Sequence, residues 1–113
     1  MKSRRQIFNY GNHFQEFYKS LEPTVKKKVD WVIGLVRDLE VIPSKFFKHI
    51  KGSDGIYEIR IMVHRNIYRI FCFFDEGKLI ILLHGFQKKT QKTPKNEIIK
   101  AKKLRQEYYE QKE

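Results

Sequence analysis

Three alternating apolar runs, "IYEIRIMV" (56–63), "IYRIFCFF" (67–74) and "KLIILLHGF" (78–86), follow one another with only "HRN" and "DEG" between them. Period-two patterning over eight or nine residues, broken by short polar turns, predicts three consecutive strands of an antiparallel meander. In the first run Tyr57, Ile59, Ile61 and Val63 share one face, and Glu58, Arg60 and Met62 lie on the other. In the second, Tyr68, Ile70, Cys72 and Phe74 share a face, and Arg69 lies with Phe71 and Phe73 opposite. By the same parity His84 groups with Leu82 and Phe86.

The flanking segments complete an α+β domain. "RQIFNY" (5–10) reads as a short strand and "HFQEFYKSL" (13–21) as a short helix. From Pro23 onward Val25, Val29, Val32, Ile33 and Val36 recur at spacings of three and four, the signature of an amphipathic helix, and the proline at 43 marks its end. "KFFKHI" (45–50) is a short strand. Thr93 and Pro94 open a last helix carrying Ile98, Ala101, Leu104 and Tyr108. The predicted architecture is an antiparallel sheet backed by two N-terminal helices, with a basic C-terminal helix, all in one domain over 1–113. A chain of 113 residues has no room for a second.

Charge narrows the function. The chain carries 24 Lys and Arg against 13 Asp and Glu, a net +11, which favours a polyanionic partner and nucleic acid above others. Residues 84–105 hold eight basic side chains against the single acid Glu97, so +7 sits in this one segment. One cysteine leaves no internal disulfide, and no Cys/His cluster has metal-ligand spacing. No P-loop or GxGxxG is present. The N-terminal "MKSRRQIFNYGNHF" lacks the apolar core of a signal peptide, and no apolar run is long enough to span a bilayer. These features predict a cytoplasmic protein without cofactor or membrane partner.

Arg60 and Arg69 stand out because a charge alternating into a strand of Ile and Phe must reach water or a partner. Each is read either as a solvent-facing arginine or an ion-pair partner of Glu58, or as half of a phosphate clamp, for which the planar guanidinium fork is suited. Lys88, Lys89 and Lys92 follow the last strand directly and serve either as a solvated loop or as a phosphate-binding mouth. His84 reads more readily as a structural histidine than as a catalyst. The aromatic residues read as core rather than as base-stacking platforms, with Phe86 open to either role.

"GIYEIRI", "IYRIFCFF" and "LLHGFQKKTQKTPKNEI" together resemble the phage-derived branch of the RelE/HigB-like toxins, the toxic halves of bacterial type II toxin–antitoxin pairs. The resemblance implies a RelE-like fold, metal-independent endoribonuclease activity on mRNA at the ribosome, and neutralisation by a cognate antitoxin of helix-turn-helix type. By this resemblance Arg60 and Arg69 are the phosphate-binding and transition-state-stabilising residues, and Lys88 and Lys89 the basic end of the last strand. Cleavage also needs a base and an acid, for which Glu58, His84 or a lysine of lowered pKa are candidates, and by their charge Lys88, Lys92, Lys95, Lys102 and Lys103 are candidates for binding the RNA backbone. Classical RelE members have a lysine where this chain has Glu58. That substitution keeps open a second reading, a non-catalytic RNA-binding or adaptor module of the same fold.

Overall fold

A computed structural model describes residues 3–112; Met1 and Lys2, which open the basic N-terminal stretch, and Glu113 lie outside it. The chain runs β1 (Gln6–Asn9), α1 (His13–Lys19), α2 (Pro23–Asp38), β2 (Phe47–His49), β3 (Ile56–Val63), β4 (Asn66–Phe74), β5 (Leu79–Lys88) and α3 (Lys95–Lys112). The five strands form one sheet in the order β1-β5-β4-β3-β2. The meander β3-β4-β5 is its centre and holds the longest pairings.

The sheet is mixed rather than wholly antiparallel, because β1 lies parallel to β5, with Ile7 opposite Ile80 and Phe8 opposite Ile81. A parallel neighbour needs a long crossover. Here everything from α1 to β4 intervenes, and a four-residue strand carries no pattern that states its direction. The rest of the architecture agrees with the periodicity. Both N-terminal helices cover one face, where Val25, Val29, Val32 and Val36 of α2 pack on Ile59, Ile61, Tyr68, Ile70 and Leu82. The other face carries α3, whose Ala101 and Leu104 close over Ile56, Phe71, Phe73, Ile81 and Leu83.

One irregularity re-aims the end of β5. Phe71 pairs with His84 but its neighbour Cys72 pairs with Leu82, so β5 carries one extra residue at Leu83. Such a bulge sends two successive side chains to the same face. Leu83 joins the core beneath α3, and His84 stacks edge-on against Phe71 on that face too. His84 and Phe86 therefore lie opposite Leu82, which stays under α2, and the face predicted by simple parity is corrected. Gly85 now points at α1, where a Cβ would overlap the Phe17 ring, so this close approach requires glycine.

Candidate functional site

α3 covers only part of its face of the sheet. The uncovered part is the end where β3 and β4 join through the turn at His64 and Arg65. Because Val63 pairs with Asn66, the register places Arg60 directly opposite Arg69, and Arg69 is in turn opposite Phe86 of β5. One step further along, Ile67 faces Met62 on one side and Lys88 on the other. Two like charges placed opposite one another are ordinarily destabilising. Their pairing at the centre of a sheet demands either a counter-ion or a function.

Glu58 supplies part of the counter-charge. Its Oε1 lies 2.7 Å from Arg69 Nε, and Arg69, 6% exposed, also donates from Nη1 to the Tyr68 carbonyl at 3.2 Å. Burial pulls the Arg69 pKa down, and the Glu58 charge opposes this while Arg60 adds to it. Arginine's intrinsic basicity keeps the guanidinium charged. Breaking such a buried pair by removing Glu58 costs about 3–5 kcal/mol, since Arg69 is left without its partner. Arg60 is more open and donates from Nη1 to the Ser44 carbonyl at 3.2 Å. Glu58 thus pairs with Arg69 in the ion pair, not with its own-strand neighbour Arg60.

Above this pair opens a cleft of about 540 Å³ into which Arg60, Arg65, Arg69, Lys88 and Lys89 project, with Met62 and Ile67 as its apolar floor. No acid lines it among the described residues. The Lys88 ammonium is pushed below its ordinary pKa, first by burial and then by the neighbouring Arg69 and Arg60, with Glu58 opposing. Five converging cations form a site for a phosphate or another multiply charged anion.

The structure therefore brings together Arg60, Arg69, Lys88 and Lys89 and puts Glu58 directly behind them. It places His84 elsewhere: 2% exposed beneath α3, with Nε2 3.2 Å from Glu97 Oε1. Burial and the nearby Lys100 hold its pKa down, against the pull of Glu97. Lys92 lies in the loop after β5, and Lys95, Lys102 and Lys103 are exposed on α3. Phe86 packs edge-on against Phe71 at 5.1 Å and is a wall of the core. Cys72 is fully buried and its thiol pKa is raised by burial, which suppresses the thiolate. Among the described residues no three His, Cys, Asp or Glu side chains gather as metal ligands. Arg65 was not singled out from sequence, although it occupies the turn between the two arginine-bearing strands.

No helix among the described residues is long and apolar enough to cross a membrane. A family model described as "Phage derived protein Gp49-like (DUF891)" matches residues 16–106. No curated protein matches the chain.

Proposed function

The chain belongs to the phage-derived Gp49-like family, a toxin-like family related to RelE and HigB, and we propose that it is the toxin of a type II toxin–antitoxin pair, a RelE-fold protein of the HigB-like branch that cuts mRNA on the ribosome. The observation that carries this reading is the direct pairing of Arg60 with Arg69 at the head of a cleft of five cations.

Cleavage of RNA by its own 2′-hydroxyl builds up negative charge on a crowded phosphate, and positioned cations stabilise that charge most strongly where water is scarce. In the proposed reaction Arg69, held rigid by Glu58 and its strand, and Arg60 grip the non-bridging oxygens. The 2′-oxygen bonds to phosphorus, the bond to the 5′-oxygen breaks, and a 2′,3′-cyclic phosphate remains. Lys88, whose pKa is lowered, takes the 2′-hydroxyl proton in its neutral form and returns it to the departing 5′-oxygen, while Glu58, behind the arginines, holds Arg69 in place. Lys89 adds charge at the rim, and the site supplies its own cations, so the reaction uses no metal. A cognate helix-turn-helix antitoxin silences the toxin in the resting cell.

The 2.7 Å contact between Glu58 and Arg69 also favours a second reading, in which that arginine stays neutralised and the face only binds RNA. Induced expression separates the two. The toxin arrests growth and cuts translated messages, and with purified ribosomes the cleavage leaves cyclic phosphate ends. Normal growth with intact transcripts at high soluble expression overturns the cleavage reading.

A further inference from the structure

A second cleft opens on the other side of the paired arginines. β2 pairs only with Ile59, Glu58 and Tyr57, and after one more bond from Arg60 N to the Phe46 carbonyl the outer edge of β3 runs on uncovered. The space there, about 330 Å³, is lined by Lys28, Lys45, Phe46, Arg60, Met62 and Arg69. It shares Arg60, Met62 and Arg69 with the first cleft, so the two clefts are halves of one trough divided by the arginine pair. No acidic side chain lines either half among the described residues.

The far end of the trough is aromatic. Trp31 of α2 is 52% exposed and meets Phe46 edge-on, with ring centres 5.4 Å apart. The Lys28 ammonium lies 4.9 Å from the Trp31 ring centre, and that of Lys45 lies 5.6 Å from the centre of Phe46. Met62 beside them is 59% exposed. The half-exposed Trp31 ring, with the Lys28 ammonium over it and the partly buried Phe46 ring beside it, offers stacking surface for a flat ligand, and the displaced ammonium groups remain within reach of its phosphate. Cationic lining combined with aromatic faces matches single-stranded nucleic acid, whose bases stack while its backbone is neutralised.

We propose that this trough is a nucleotide subsite: a nucleotide flanking the phosphate at Arg60 and Arg69 stacks its base on the Trp31–Phe46 pair, with Lys28 and Lys45 on its backbone. The assignment rests on the RNA reading above and extends it to a path across the β3 edge. Each stacked base contributes about 1–3 kcal/mol on sites of this kind.

Trp31 is the only tryptophan of the sequence, so its emission reports the subsite directly. The probe is a 2′-O-methyl hexanucleotide, which lacks the attacking hydroxyl, titrated against the full chain, with cleavage of ribosome-bound mRNA measured alongside. Saturable quenching of Trp31 is expected. The Lys28→Ala/Lys45→Ala double variant should bind about tenfold more weakly, and its salt slope should fall by about 1.4, the value for two single-strand phosphate contacts. Cleavage without quenching, or an unchanged affinity and salt slope in the double variant, overturns the subsite and leaves the cleavage reading standing. Quenching without cleavage overturns the cleavage reading and supports an RNA-binding trough. Equal quenching by poly-glutamate assigns the trough to an acidic protein and overturns the nucleotide assignment.

Discussion

The two faces of β3 and β4 are made by alternate residues of the same seventeen positions, and they have opposite tasks. Toward α2 the row is Tyr57, Ile59, Ile61, Tyr68, Ile70 and Cys72, dry and closed over by four valines. Toward the other side the row includes Glu58, Arg60 and Arg69, and α3 covers only the stretch from Phe71 onward. Two arginines side by side would be hard to keep in a sheet that had to find its stability on that face. The apolar face supplies it, and the period of two keeps the two requirements apart residue by residue. Fold and candidate chemistry are thus neighbours in sequence but separated by the thickness of a strand.

That separation can be broken or sharpened by substitution. Among the packing variants the largest expected effect is at the closed face: Ile70→Ala empties a fully buried site and should cost about 2–5 kcal/mol, read from denaturant unfolding. Its cleavage rate per folded molecule should stay near wild type, and a large loss there would show the faces to be coupled. A smaller effect, about 1–3 kcal/mol, is expected for Gly85→Ala, because the added methyl meets the Phe17 ring and forces α1 to shift. Phe17→Leu should relieve part of that cost in the double variant.

The smallest effect concerns His84. Its pKa is lowered in the folded protein, so the unfolded chain binds a proton first as pH falls below about 6.5. Stability is therefore full above that value and declines toward the folded pKa, by at most about 1.4 kcal/mol per pH unit. His84→Gln, which keeps a hydrogen-bonding group for Glu97, should flatten the decline without changing the pH profile of cleavage. A changed profile would return His84 to the chemistry.

Much of this division was legible in the sequence. The meander, the two N-terminal helices on one face and the arginines on the other follow from periodicity alone. Their direct pairing depended on the turn. "HRN" taken as three residues leaves the register open, whereas a two-residue His64–Arg65 turn puts Arg60 opposite Arg69, and His64 adopts the left-handed conformation, φ 57°, that such turns require. His84 went to the wrong face because the bulge at Leu83 falls inside "IILLHG", where apolar neighbours on both sides hide a change of parity. The direction of β1 depends on contacts far along the chain and leaves no local trace. The second cleft combines residues from α2, the segment before β2, and β3, and only the folded chain brings Lys28 next to Arg60.

The central claim is that Arg69 acts on the phosphate and not only on the fold. Single-turnover cleavage of ribosome-bound mRNA by Arg69→Ala, with circular dichroism confirming a folded chain and Lys102→Ala as an exposed control on α3, addresses it directly. The account predicts that Arg69→Ala is slower by roughly 10²–10³, about 3–4 kcal/mol of transition-state stabilisation, while Lys102→Ala cuts at nearly the wild-type rate with a salt slope of binding reduced by about one. A folded Arg69→Ala protein that cuts at the wild-type rate would contradict it.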